Sequence, residues 1–226
     1  MFQHLRLKPV AVEYGGYVPT FFEPLLLAAR AGDDLIPTID QITKELGFDT
    51  FTCTVSTSAR PNCESMLYVF TTMPPEWVAL YDRCSYVEVD PRVQTLMQIP
   101  LPMVWDCESL RGNNRRVNDF LDAGQKYGLG SGVAVAFYDP RGHAVFVAFN
   151  SKTAKLDGIR KSEIFRKLGD ILIFGHLFFE MFVANIHSRE NATAVAWGAT
   201  KPARAHVFGN GSSWTSQRGY CPQARY

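Results

Sequence analysis

Apolar and polar residues repeat along this chain with two periods, one typical of helices and one typical of strands. Residues 21–31 and 34–46 predict two helices. In the second, apolar residues recur at helical spacing from Leu35 to Leu46, and Gly47 follows where a C-cap glycine would stand. The chain therefore opens with a helical pair before its first strand.

Four segments predict strands because β-branched and apolar residues alternate in them or run together between turn residues. Residues 49–57 and 65–72 are separated by a short polar turn, which predicts a hairpin. Residues 133–139 and 143–150 flank Pro-Arg-Gly and predict a second hairpin. An antiparallel sheet follows from these two pairs.

Further helices are predicted between and after the hairpins. One begins at Pro74-Pro75, a second begins at Pro91, a third covers 114–126 and a long one covers about 161–187. The order of elements implies an α+β fold, an α-β-α sandwich with a central antiparallel sheet flanked by helices. The last helix is apolar enough to be either a dimerisation element or a core helix.

Composition and charge divide the 226 residues into a body and a tail. The chain is 46% apolar and 20% charged with a net charge of +1, as in an ordinary globular protein. Residues 1–187 carry a net charge of −3, whereas 188–226 carry +4 and show no sustained period. We predict one domain over 1–187 and a basic, poorly ordered tail over 188–226, suited to nucleic acid or simply solvated.

Cysteine usage and hydropathy indicate a cytoplasmic protein. The five cysteines are scattered without a C-x-x-C pair, which favours reduced thiols and no zinc site. The N-terminus lacks the apolar core of a signal peptide, and no segment reaches the length of a membrane span. We expect no membrane association, no metal and no cofactor.

The candidate chemistry lies between Trp77 and Trp105, where Tyr81 and Asp90 also stand. An indole N–H only donates and a carboxylate only accepts, so the pair could recognise a carbonyl and an amide N–H on one ligand. The alternative is that these aromatic residues fill the core and that Asp90 caps the helix starting at Pro91.

Enzymatic and nucleotide-binding functions find little support. The five histidines form no recognisable motif with a nucleophile. The glycine-rich segment 127–132 lacks the Gly-Lys-Ser/Thr ending of a phosphate loop and precedes a strand, so we interpret it as a tight turn with close backbone packing.

The spacing of these residues resembles the autoinducer-binding domain of LuxR-type quorum-sensing regulators. That family shows W-x₃-Y, then D-P, a further Trp and a glycine before the second hairpin. Here these are Trp77 and Tyr81, Asp90-Pro91, Trp105, and Gly132. The resemblance covers roughly residues 20–187. It implies a non-enzymatic domain that binds an acyl-homoserine lactone or a related small-molecule autoinducer.

The resemblance also implies roles for individual residues. The Trp77 indole N–H would bind the lactone carbonyl, Asp90 the amide N–H, Trp105 would pack on the lactone ring, and Tyr81 would line the acyl pocket. Further expected pocket walls are Thr52, Thr54, Leu67, Val69, Phe120 and Leu129.

Three positions depart from the family pattern. Met73 stands where the family often has a Tyr, and Ala148 where it often has Ser or Thr, so two hydroxyl donors to the acyl carbonyl are missing. Three alternatives follow from this: an unusual acyl group on the ligand, a weaker affinity, or a hydroxyl donor from Thr52 or Thr54 instead. Arg92 directly after the D-P pair is also atypical and is expected to crowd or polarise the site.

The tail departs further. Family members carry a helix-turn-helix of about 65 residues after the sensing domain. Arg189-Glu190, Val195 and Trp197 are similar to its opening, and no recognition-helix pattern follows Thr200. We therefore interpret the tail as a truncated or degenerate helix-turn-helix, and expect ligand sequestration or inactive heterodimers with a full-length relative. The alternatives are a homodimeric regulator that still binds DNA through its basic tail, and a small-molecule enzyme.

Overall fold

The computed structural model shows one β-sheet with helices packed on both of its faces. The described residues are 3–4, 20–31, 33–56, 67–99, 101–139 and 143–196, with side chains described between Thr20 and Val183. The α-helices are α1 (Glu23–Ala31), α2 (Ile36–Glu45), α3 (Pro75–Arg83), α4 (Pro91–Gln98), α5 (Cys107–Leu110), α6 (Arg115–Lys126), α7 (Gly158–Arg166) and α8 (Leu168–Ala196). The strands are β1 (Gln3–His4), β2 (Thr50–Ser56), β3 (Leu67–Thr71), β4 (Met103–Asp106), β5 (Ser131–Tyr138) and β6 (Ala144–Ser151), with short 3₁₀ turns at Thr20–Phe22 and Tyr86–Glu88.

The strands form one sheet in the order β1-β3-β2-β6-β5-β4. Every pairing among β2 to β6 is antiparallel, and the two-residue β1 runs parallel to β3 at the edge. The strands of both predicted hairpins pair antiparallel, with Thr52 opposite Thr71 in the first pair and Ala134 opposite Ala148 in the second. The α+β prediction is confirmed.

Alternation along the strands separates two hydrophobic cores. In β2, Phe51, Cys53 and Val55 face the larger core, where α1, α2 and α8 pack. Phe51 there contacts Phe178 at 4.9 Å between ring centroids. The opposite face of the sheet carries a smaller core that includes Trp77. Helices therefore cover both faces, as an α-β-α sandwich requires.

The predicted long helix 161–187 is wrong in its bounds, because two helices occupy this region. Helix α7 ends at Arg166 and α8 runs from Leu168 to Ala196, across the boundary that we placed after residue 187. Lys167 separates them, and its ammonium group donates to the carbonyls of Glu45 (3.1 Å) and Leu46 (3.2 Å) at the end of α2. The separation of α7 from α8 thus coincides with a tertiary contact, which the local sequence pattern does not predict.

The glycine-rich segment 127–132 brings two strands into close contact, as predicted. A Cβ on Gly132 would lie 2.0 Å from the carbonyl oxygen of Phe149, so no other residue fits there. Strand β5 begins at Ser131, earlier than predicted, and pairs with β4, which the sequence did not predict. Gly132 stands opposite Trp105 in that pairing.

The expectation of uniformly reduced thiols is wrong for Cys84, which is disulfide-bonded. Cys53 and Cys107 are free and buried. None of the described helices is both long enough and apolar enough to cross a membrane. The predicted turn at 58–64 and tail residues 197–226 lie outside the described residues.

Candidate functional site

A cavity of about 450 Å³ lies between the second face of the sheet and helices α3 and α4. Most of the residues predicted to form the site line it: Thr52, Thr54, Leu67, Val69, Met73, Trp77, Tyr81, Asp90, Leu129 and Ala148. Two do not, namely Trp105 and Phe120.

The alternation of side chains along the strands explains why the cavity is open and why one of its ends is polar. Small residues such as Ala136 and Ala148 face the cavity from β5 and β6, which leaves room above the sheet. Along β6 the facing residues run from Ala144 through Phe146 to Asn150, a distance of about 20 Å at strand spacing. The Asn150 end is polar and the rest is largely apolar, so the cavity suits a molecule with a polar head and an apolar chain.

Asp90 lies at the polar end and caps α4, as one of its two interpretations predicted. Its carboxylate accepts the Arg92 backbone N–H at 3.0 Å, and Pro91 occupies the first turn. The same carboxylate accepts the Tyr81 hydroxyl at 3.1 Å, linking α3 to α4. Burial and the neighbouring Asp90 charge together raise the pKa of Tyr81 well above its usual value, so the phenol stays protonated and donates.

The strongest partner of Asp90 is the Arg92 side chain. Arg92 Nε donates to Asp90 Oδ1 at 2.9 Å, and Nη2 donates to Oδ2 at 2.6 Å. Nη1 donates to Asn150 Oδ1 at 3.1 Å on β6. Burial lowers the pKa of Arg92, but the charge and hydrogen bonds of Asp90 exceed this effect and leave it raised. The cavity therefore contains a buried ion pair tied to the sheet.

Trp105 and Phe120 lie against this ion pair. The Arg92 guanidinium carbon is 4.8 Å from the Trp105 ring centroid and 5.7 Å from that of Phe120. The Trp105 indole N–H is buried without a hydrogen-bond partner. These two rings thus support the cation through cation–π contacts, whereas we expected them to contact the ligand directly.

Trp77 lines the cavity from α3. Its ring packs against Tyr81 at 5.8 Å and Tyr86 at 6.0 Å between centroids, which holds the indole in place. In the described part of the chain, its N–H has no protein acceptor. This fixed donor is available to a ligand carbonyl.

The threonines on β2 differ in what they can donate. Thr71 donates its hydroxyl proton to the Phe51 carbonyl at 2.9 Å, so in the Thr52–Thr71 pair (2.8 Å) the proton comes from Thr52. Thr54 has no hydrogen-bond partner among the described residues. Of these two candidate donors, Thr52 is therefore the one whose hydroxyl proton is engaged within the protein.

Sequence reasoning missed Asn150 and did not anticipate the partners of Arg92. Asn150 is the polar end of an otherwise apolar strand and has the same parity as Ala148, which could have placed it at the cavity. Arg92 was noticed as atypical, but its contact with Asn150 depends on the fold. In the described residues no group of three or more His, Cys, Asp or Glu could hold a metal ion.

Comparisons with known proteins give matches over most of the described region. A family model described as the autoinducer binding domain matches residues 32–182. The transcriptional activator protein AnoR of Acinetobacter nosocomialis is 27% identical over 113 residues, which are 50% of this chain and 46% of that protein. The chain thus spans about half the length of this curated relative.

Two solved structures share the fold. One is an N-acylhomoserine lactone dependent LuxR family transcription factor, CepR2 from Burkholderia cenocepacia, with a TM-score of 0.56, 21% identity, and coverage of 68% of this chain and 85% of that chain. The other is Escherichia coli SdiA, with a TM-score of 0.50, 16% identity, and coverage of 72% and 69%.

Proposed function

The chain belongs to the autoinducer-binding domain family of LuxR-type quorum-sensing regulators, and we propose that its cavity binds an acyl-homoserine lactone or a related acylated signal. The observation that carries this proposal is the cavity itself. Trp77, an indole donor, is among its lining residues, and apolar walls extend along β6. Polar groups that fix a head and apolar walls that bury a chain are what a small-molecule site requires.

Thermal unfolding with a panel of acyl-homoserine lactones tests the proposal. A ligand at a hundred times its Kd stabilises the folded state by about 2.7 kcal/mol. For a chain of this size that corresponds to a rise in Tm of about 5–10 °C. Homoserine lactone without an acyl chain is the matched control and should give no rise. Unchanged Tm values across the whole panel would contradict the proposal.

The finer part of the proposal concerns DNA. Residues 188–226 carry basic side chains that suit phosphate contacts, but base readout needs a placed recognition element. We propose that this segment does not read bases, and that the chain acts in the cytoplasm by sequestering ligand or by forming inactive heterodimers. A ligand-loaded gel shift decides between this role and DNA-bound regulation, because sequence-specific retardation would overturn it.

Dimerisation is a further part of the proposal. Between Ile171 and Val183 most apolar side chains of α8 are buried in the larger core, so the helix serves as a core helix over this stretch. Exposed apolar side chains remain at Ile159, Phe165 and Ile173 on α7 and α8. Sedimentation of the ligand-loaded chain, with Phe165→Lys as the comparison, tests whether this face pairs with a second subunit.

A further inference from the structure

Asp90 has no free acceptor position. Its Oδ1 accepts the backbone N–H and the Nε–H of Arg92, and its Oδ2 accepts the Tyr81 hydroxyl and Arg92 Nη2. An ionised carboxylate offers about four lone-pair sites, and all of them are occupied here. A ligand amide N–H could bind Asp90 only by displacing one of these donors.

Displacing Arg92 is costly. The Asp90 and Arg92 side chains are 1% and 6% exposed, so separating them leaves two buried charges without partners. Asn150 and the rings of Trp105 and Phe120 hold the guanidinium from its other sides. The ion pair is therefore a fixed part of the cavity wall, and a ligand meets it already formed.

What this wall presents is a donor surface. A guanidinium has five N–H groups and no acceptor. Three of Arg92's five are used, two on Asp90 and one on Asn150, which leaves one on each terminal nitrogen. Trp77 adds another donor on the same cavity. The polar end is therefore rich in N–H groups and matches oxygen atoms of a ligand.

We propose that Arg92 is the specificity-determining residue of this cavity, and that the protein takes acylated ligands whose head groups present oxygen acceptors and need no amide N–H. This inference rests on the proposed function, since it concerns the head group of the ligand that the cavity binds. Acyl esters and acylated lactones without nitrogen should then bind with affinities similar to those of the corresponding amides.

A pair of isosteric ligands tests the inference. An N-acyl-homoserine lactone and the O-acyl ester of α-hydroxy-γ-butyrolactone with the same chain differ by one N–H replaced by oxygen. Isothermal titration of the full chain should give Kd values within about threefold of one another. An amide preference of tenfold or more in the unaltered protein would overturn the inference and leave the proposed function standing. Binding of neither ligand would instead overturn the proposed function, and the inference with it.

Variants at Arg92 give the reciprocal result. Arg92→Met removes two side-chain donors from Asp90 and opens acceptor positions, so the amide should now be preferred by about tenfold or more, the range of a charge-assisted hydrogen bond. Arg92→Lys keeps a cation but loses the planar fork, so both ligands should weaken together without an amide preference. Arg115→Met, at an exposed position, is the matched control and should leave both affinities unchanged. The ester–amide comparison in the unaltered chain decides the question even if Arg92→Met fails to fold.

Discussion

The Arg92 guanidinium lies 4.8 Å from the ring centroid of Trp105, and both side chains are buried. Trp105 thus contacts the cation where the family resemblance implied a lactone ring. An indole face is the most favourable aromatic partner for a guanidinium, and desolvation strengthens the contact. The polar end of the cavity is accordingly built in layers, with Trp105 beneath Arg92 and Arg92 at the cavity wall.

The effects of substitutions at Asp90 and Arg92 on the free energy of unfolding should depend strongly on one another. Asp90→Ala leaves the Arg92 charge buried and unpaired, so we expect the free energy of unfolding to fall by about 3–5 kcal/mol. The double variant Asp90→Ala/Arg92→Met removes both charges and should lose much less than the sum of the single variants. Urea denaturation without ligand measures all four proteins.

The exposed pair Arg111–Asp122 provides the control for this cycle. Its side chains are 37% and 57% exposed, so its coupling free energy should stay below about 1 kcal/mol. A coupling at Asp90–Arg92 as small as that of the control would contradict the buried-pair interpretation.

Substitution of Trp77 should mainly affect ligand affinity, whereas substitution of Trp105 should mainly affect the free energy of unfolding. Trp77→Phe removes a donor that faces the cavity, so we expect ligand affinity to fall by about tenfold or more. Trp105→Phe removes an N–H that has no partner and keeps a ring beneath Arg92. It should keep affinity within about threefold and cost about 1–2 kcal/mol in unfolding free energy through the space it leaves. Titration and denaturation of both variants check this, and equal losses of affinity would refute it.

Adjacent positions on β6 should respond in opposite ways to added volume. Ala148→Leu projects into the cavity, so ligand affinity should fall at least tenfold while the unfolding free energy without ligand stays within about 1 kcal/mol. Val147→Leu adds a methylene to the packed core on the other face and should cost about 1–3 kcal/mol. Affinity that survives Ala148→Leu for long-chain ligands would place the acyl chain elsewhere.

Asp106 caps α5, and low pH should remove the stabilisation of the fold that its ionised carboxylate provides. Burial raises the pKa of Asp106, but hydrogen bonds from the backbone N–H groups of Ser109 and Leu156 exceed that effect and lower it below 3.8. A depressed carboxyl pKa stabilises the fold above the unfolded value and is lost as the pH falls through the folded value. Asp106→Asn should therefore cost about 1–2 kcal/mol at pH 7 and progressively less below pH 4.

Denaturation at pH 7, 5 and 3 follows this difference. The exposed substitution Asp40→Asn is the control and should change the unfolding free energy by less than about 0.5 kcal/mol at each pH. A cost of Asp106→Asn that stays constant down to pH 3 would show that the charge of Asp106 is not what stabilises the cap.

The sequence predicted the features that depend on local periodicity. Alternation along residues 49–57 predicted a strand, and the structure puts Phe51 of this strand in a core on one face and Thr52 and Thr54 at the cavity on the other. The Asp90-Pro91 pair announced a helix start because its capping chemistry involves neighbouring residues. Such predictions need no knowledge of distant parts of the chain.

The sequence could not predict contacts between residues far apart in the chain. Arg92 meets Asn150 across 58 positions, and nothing near Arg92 indicates which way its guanidinium turns. Trp105 was assigned to the ligand from the family resemblance, and its own neighbours in the sequence could not reveal a cation above its ring. The break at Lys167 was missed for the same reason, since its partners Glu45 and Leu46 belong to the first helical pair.

The saturated carboxylate of Asp90 constrains how this cavity can change through evolution. A single substitution at Asp90 or Arg92 leaves a buried charge, so most such variants would be lost through misfolding before any new ligand could be selected. In this chain, replacement of both residues in quick succession avoids that barrier. Homologues that keep the aspartate and lack the arginine must stabilise the carboxylate with other donors, and a ligand amide N–H can be one of them.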